Sequence, residues 1–454
     1  MIKVIPAGIK DLLLKIKSGI WLDQITRITG LLLVLIISGN LVYAGQDRIV
    51  LPRTGFEATD LAIIVNDADP LSIKIANYYQ RKRNIPAGNL IHVRFKPDKN
   101  NIPVKQFQKI LKTVYDKTPG NVQAYALTWA LPFRVGCMSI TTAFAMGYSE
   151  AFCAIGCKQT QASAYYNSNS RAPYDDLGIR PTMAIAANNF ELAKQLIDRG
   201  VKSDQSFPTG TGYLVSTSDK ARNTRANLYP LIVKQIENFA KVELVNSDSI
   251  SDKKDVLFYF TGKKDVEKLD TNRFLPGAIA DHLTSAGGVL NGVKQMSSLR
   301  WLEAGATGSY GAVTEPCNFP MKFPHPGIVM GRYTTGETLI EAYWKSVLQP
   351  GQGIFIGEPL ANPYGGYDIT ISDNKAFIKT RSIRPGLYIL LSGSVKEGPF
   401  IPVRNVYIKH WGNKTISFPV EDNNYYRLVR SEKQPAIRQQ QQLPSKKKND
   451  TGLP

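Results

Sequence analysis

Residues 61–83 read LAIIVNDADPLSIKIANYYQRKR, and this stretch decides the fold. Residues 61–65 form a continuous apolar run of strand length, the mark of a strand buried on both faces. Asn66-Asp67-Ala68-Asp69-Pro70 is a polar turn, since Asx side chains bond the nearby backbone and Pro fixes φ. The residues that follow put Ile73, Ile75 and Tyr78 or Tyr79 on one side of a helix. Pro86, Gly88 and Asn89 stop that helix before a second apolar run at 90–95.

The strand–helix alternation repeats outward from this unit. A helix near 104–115 leads to a strand at 124–131, and further strands read at 182–187, 213–217, 256–260, 305–310 and 354–357. Such alternation predicts an α/β fold, a mainly parallel sheet with helices on both faces, over residues 45–364. Residues 137–180 break the rhythm with Ser, Thr, Tyr, Asn and two cysteines, and read as an insertion. After Pro363 the texture changes to short strands at 368–371, 376–380, 386–391, 405–409 and 415–419. They predict a small C-terminal antiparallel β domain, sandwich-like, over 365–430. Residues 431–454, with QQQQ and KKK, read as a low-complexity, disordered basic tail.

The chain carries 56 Lys and Arg against 37 Asp and Glu, a net +19 that invites a nucleic-acid reading. The two ends inflate it: residues 45–426 hold 44 basic and 33 acidic side chains, without a block of five cations. The densest cluster there is Arg81-Lys82-Arg83, and aromatics are not interleaved with the cations as a single-strand groove requires. A diffuse surplus of this kind points to anionic envelope components, polymers or membrane surface, rather than nucleic acid.

The first 44 residues read as a signal peptide: Lys3, Lys10, Lys15, Lys17 and Arg27 precede the apolar run 31–37, and Val42 and Ala44 precede Gly45 as small cleavage-site residues. That run falls short of the ~20 residues a membrane span needs, so the mature chain is expected to have no integral membrane domain. The expected location is periplasmic or extracellular, and the alternative is a chain left anchored by its N-terminus.

In an oxidising compartment the four cysteines, Cys137, Cys153, Cys157 and Cys317, are disulfide candidates. Cys153–Cys157 with Cys137–Cys317 is the preferred of three pairings. No metal or other cofactor is expected: the Cys pair at i, i+4 has no partner pair at ligand spacing, and His92, His282, His325 and His410 are scattered.

Parallel sheets place ligands outside the carboxyl ends of their strands. Those ends carry Asp67 and Asp69; Asp219, Lys220 and Arg222; Glu315 and Cys317, with His325 eight residues beyond; and Glu358. If gathered on one edge, these groups could do nucleophilic or acid–base work, with Cys317 as nucleophile, His325 as base, Glu315 and Asp219 in support, and Lys220 or Arg222 holding a developing anion. Asp67, Asp69, Lys220 and Arg222 could equally form a ligand-binding set. Each has a plainer reading too: Asp67, Asp69 and Asp219 as turn and cap residues, Cys317 as half of a disulfide, His325 as a rigid turn between two prolines.

The strings NDADPLSIKIANYYQRKRNIPAGNL, GTGYLVSTSDKARNTRANLYP, FLPGAIADHLTSAGG, WLEAGATGSYGAVTEPCNFPMKFPHPG and GQGIFIGEPLANP resemble an uncharacterised family of exported bacterial proteins, over most of residues 48–364. That resemblance implies no activity. More distantly, the GATGSYG and GIFIGEPL strands resemble the caspase-like fold of gingipain-type cysteine peptidases. The resemblance implies a His-Gly after one strand and a Cys after the next. Here the corresponding positions read Phe260-Thr261-Gly262 and Thr284-Ser285-Ala286-Gly287, so neither the His nor the Cys of the dyad is in place. Two functions are expected from this: a binding or cell-envelope interaction module on a hydrolase-like α/β scaffold, or a peptidase-like hydrolase with a relocated Cys317/His325 site.

Overall fold

A computed structural model describes residues 46–154 and 157–431. The predicted signal segment, and the predicted tail beyond Ser431, lie outside the described residues.

The strands used below are β1 (Ile49–Val50), β2 (Leu61–Asn66), β3 (Leu90–Val93), β4 (Ala124–Leu127), β5 (Thr182–Ala184), β6 (Thr211–Ser216), β7 (Lys241–Asn246), β8 (Val256–Thr261), β9 (Phe274–His282), β10 (Gly308–Ala312) and β11 (Gly353–Gly357). Ten of them, β2 to β11, form one sheet in the order β7-β6-β8-β9-β10-β11-β5-β4-β2-β3. Every ladder in it is parallel except β10·β11, where Tyr310 faces Phe355. A single pair, Ile356 with Ala184, joins β11 to β5. The longer helices are α1 (Pro70–Arg83), α2 (Val104–Lys117), α3 (Ile140–Met146), α4 (Phe190–Ser203), α5 (Tyr229–Ile236), α6 (Pro326–Thr334) and α7 (Leu339–Ser346). The fold is thus α/β with a mostly parallel sheet flanked by helices.

The founding unit behaves as its sequence demands. All six residues of β2 are buried, and α1 turns Ile75, Ala76 and Tyr79 into the core. Asp69 caps α1 by accepting from the Leu71 amide at 2.9 Å, and Pro70 occupies the first turn, where its missing N–H costs nothing.

Two sheet strands have no counterpart in the sequence reading. Strand β7 is an edge strand with a mixed, largely exposed pattern, which carries little hydrophobic signal. Strand β9 contains Pro276 and Gly277, residues that argue against a central strand. Its register explains them: Val256 pairs with Phe274 but Phe258 pairs with Ile279, so three surplus residues bulge there. Gly277 takes φ +87, a left-handed conformation that suits glycine, and its carbonyl accepts from the buried Tyr333 hydroxyl.

The C-terminal strands are β12 (Asp368–Ser372), β13 (Lys375–Thr380), β14 (Gly386–Gly393), β15 (Ile401–Ile408), β16 (Lys414–Pro419) and β17 (Tyr425–Arg430). One sheet runs β12-β13-β16 and is antiparallel; the other runs β1-β17-β14-β15. Together they enclose a second core of Ile378, Tyr388, Leu390, Val406, Phe418 and Leu428. Strand β1 pairs in parallel with β17, and Ile49 packs into this second core, so the first described residues belong with the last.

The four cysteines form two disulfides, Cys137–Cys153 and Cys157–Cys317, with Cα separations of 5.5 and 5.4 Å. This corrects the preferred pairing, Cys153–Cys157 with Cys137–Cys317. The chain instead closes a short loop within the insertion, and then ties the insertion to the segment beyond β10. Among the described residues no helix is long and apolar enough to cross a membrane.

Candidate functional site

The loops after β6, β8 and β9 converge on one polar network. Beyond β6, the Thr217 hydroxyl donates to the Gly262 carbonyl at 2.6 Å, tying the ends of β6 and β8 together. Gly262 is needed there, because a Cβ would collide with the Arg222 carbonyl. The Ser218 amide and hydroxyl both donate to Asp248, at 2.8 and 2.9 Å, and the Lys263 ammonium stands 2.7 Å from the same carboxylate. Hydrogen bonding from Lys263, then from Ser218, holds the Asp248 carboxyl down to about 2.

Asp219 and Arg222 form a local pair. Asp219 accepts from the Arg222 amide at 3.2 Å and from its guanidinium at 3.0 Å. Arg222 Nε donates to the Thr284 hydroxyl at 2.9 Å, and Thr284 in turn donates to Gln295 at 2.8 Å. Lys220 is exposed beside them. A cleft of about 510 Å³ opens next to Gln295, lined also by Asn188, Asp265, Asn291, Arg300 and Glu303.

A buried ion pair supports this network from below. Arg225 and Asp281 are both almost fully buried, 2.7 Å apart. Arg225 also donates to the carbonyls of Pro324, at 3.1 Å, and Thr261, at 2.7 Å, so it joins β8, β9 and the approach to α6. Burial alone would lower its pKa, but the Asp281 carboxylate beside it leaves it above the ordinary arginine value. The pair escaped the sequence reading. Its signal was Asp281 inside the apolar run AIADHL, since a carboxylate there needs a buried partner.

The remaining predicted residues are dispersed and engaged. Asp67 stands 2.7 Å from His92 Nδ1, and Asp69 caps α1. No hydrogen bond or ion pair joins either one to Asp219 or Arg222. Glu315 accepts from the Cys317 amide at 2.7 Å and so stabilises a turn in which Cys317 takes φ +55. Cys317 Sγ is bonded to Cys157, which corrects its assignment as a nucleophile: a disulfide sulfur has no thiolate to offer. His325 is corrected as its base. Its Nδ1 accepts from the Ile328 amide at 3.3 Å as the cap of α6, and burial lowers its pKa. Glu358 is buried and accepts from Arg83 Nε at 2.9 Å, with Asp204 on the other side of the guanidinium.

His282 is structural too. Trp301 Nε1 donates to its Nδ1 at 2.9 Å, so Nε2 carries the proton and donates to the Met296 carbonyl at 3.1 Å. Burial lowers its pKa to about 3. An unfolded chain binds a proton there below about pH 6.5, which the native state refuses until far lower, so stability is lost as pH falls through that window. Between pH 7 and pH 5 this one group is expected to cost about 2 kcal/mol. Urea midpoints at the two pH values, compared with His282→Gln, check it; an equal loss in the variant would contradict the assignment.

No family model matches the chain, and no curated protein matches it. A solved structure titled "Structure of Protease" is similar at 10% identity and a TM-score of 0.33, over 84% of this chain and 98% of that one. A likeness this distant carries no argument about activity.

Proposed function

We propose that the chain is an exported interaction module that binds anionic envelope components and performs no thiol-dependent hydrolysis. One observation carries this reading: the sulfur of Cys317 is bonded to Cys157, while His325 Nδ1 is taken up by a helix cap and both ring nitrogens of His282 by a Trp301–Met296 bridge. The positions that the gingipain-type resemblance assigns to the dyad read Phe260-Thr261-Gly262 and Thr284-Ser285-Ala286-Gly287, without the His or the Cys. Two disulfides fit an oxidising compartment. Exposed Lys220, beside the Arg222–Asp219 pair, leaves a cation on the rim of the converging loops.

The test has two arms on the full chain. Retention on dextran sulfate over uncharged dextran is expected at low ionic strength, and it should fall as salt screens the charges. A mixed fluorogenic peptide set should show no turnover that iodoacetamide abolishes. Iodoacetamide-sensitive cleavage would overturn the reading, and equal retention on both dextrans would remove its binding half.

A further inference from the structure

Another cleft, of about 450 Å³, opens where the loop before β6 meets the β12-β13-β16 sheet. Its walls include Phe207 from that loop, and Asp368, Lys379, Arg381, Asn413 and Lys414 from the C-terminal strands and their flanks. Asp368 opens β12 and lies across from Lys379 of β13, while Lys414 opens β16 across from Thr380. Phe207 is unfavourable in two ways. Its backbone takes φ +45, where a bulky side chain is disfavoured, and its ring is left 37% exposed. The ring stands edge-on to Tyr364 with centroids 6.3 Å apart, and the Arg381 guanidinium lies 4.8 Å from the centre of the same Tyr364 ring.

The cations of this cleft lack counter-charges. Lys379, Arg381 and Lys414 form no ion pair among the described residues. Arg381 Nη2 donates to the Phe239 carbonyl at 2.7 Å, and its Nε is buried without a hydrogen-bond partner. Lys414 Nζ reaches the Ile383 carbonyl only at 3.4 Å, and burial pushes its pKa down to about 8. A partly buried cation without a partner is stabilised by an incoming anion. The other walls narrow the ligand further. An exposed aromatic ring takes an apolar face. Asp368 accepts hydrogen bonds and repels a ligand that is anionic throughout, while the Asn413 amide both donates and accepts. A sugar bearing a carboxylate offers all three partners: a C–H face for the ring, hydroxyls for Asp368 and Asn413, and a negative charge for the cations.

We infer that this cleft binds a carboxylated sugar, with the sugar ring against Phe207 and the carboxylate held by Lys379, Arg381 and Lys414. The inference rests on the interaction-module reading and names its ligand class and its place.

Calorimetric titration of the full chain with tetragalacturonate tests it, against the fully methyl-esterified tetramer and against tetraglutamate. The free acid is expected to bind at least tenfold more tightly than either control. Phe207→Gly should cut that affinity about tenfold. Glycine suits the left-handed backbone at this position, so thermal unfolding should be unchanged. Lys379→Gln with Lys414→Gln should also cut the affinity about tenfold. Lys105→Gln with Lys109→Gln, the same charge change at exposed positions of α2, should leave it within twofold. Wild-type affinity in both cleft variants would overturn the inference and move the binding elsewhere. Equal binding of the methyl ester would overturn the demand for a carboxylate, and equal binding of tetraglutamate would overturn the sugar in favour of an acidic peptide. Retention on dextran sulfate without tetragalacturonate binding would sink the cleft site and leave the interaction module standing; loss of both would sink both.

Discussion

Asp281→Ala is expected to lower unfolding stability by about 3–5 kcal/mol, because it strands the Arg225 guanidinium in the core without its counter-charge. The cost is the desolvation of an unpaired cation, not the worth of the pair. Arg225→Met with Asp281→Leu should therefore recover most of the loss, since a well-packed apolar pair avoids the desolvation of both ions. Urea unfolding of the two variants decides between these terms. If the double variant is as unstable as Asp281→Ala, the carbonyl contacts of Arg225 to Thr261 and Pro324, rather than its charge pairing, dominate the site.

The second large effect concerns the disulfides, and their order is the informative part. Cys157 and Cys317 are 160 residues apart in sequence, whereas Cys137 and Cys153 are 16 apart. In the chain-entropy description, the longer closure restricts the unfolded ensemble more. Replacing Cys157 and Cys317 by Ser should then cost about 5 kcal/mol, and replacing Cys137 and Cys153 about 3 kcal/mol. The long closure also fastens the insertion to the turn beyond β10, where Thr314 donates to the Cys137 carbonyl at 3.1 Å. Loss of the long bridge should thus loosen the 157–180 segment before the sheet itself, readable as faster amide exchange there. A smaller loss from the long bridge than from the short one would contradict this.

Most of the architecture was legible because buried strands announce themselves. Residues 61–65, 256–260 and 354–357 are apolar on both faces, and each sits in the ten-stranded sheet. The reading failed where local signals conflict with tertiary demand. Strand β9 hides behind Pro276 and Gly277, which serve a bulge that only its pairing with β8 reveals. Strand β7, an exposed edge, buries too little to show a clear pattern.

The candidate site was less legible than the fold. The plainer reading of Asp69 as a helix cap is what the structure shows, and the same holds for the turn role of Asp219. Which cysteines pair depends on how the insertion folds back, and no spacing rule encodes that. The Arg225–Asp281 pair joins the loop after β6 to strand β9, so only the assembled sheet brings the two together.

The account turns on Cys317 being structural, and its redox state is the most direct measurement. Native protein would be treated with iodoacetamide near neutral pH, digested without reduction and mapped by mass spectrometry. The expected result is an intact Cys157–Cys317 linked peptide pair with no carboxamidomethyl group on Cys317. Rapid, stoichiometric alkylation of Cys317 would contradict the account, because it would restore a reactive thiol on the loop after β10 and reopen the hydrolase.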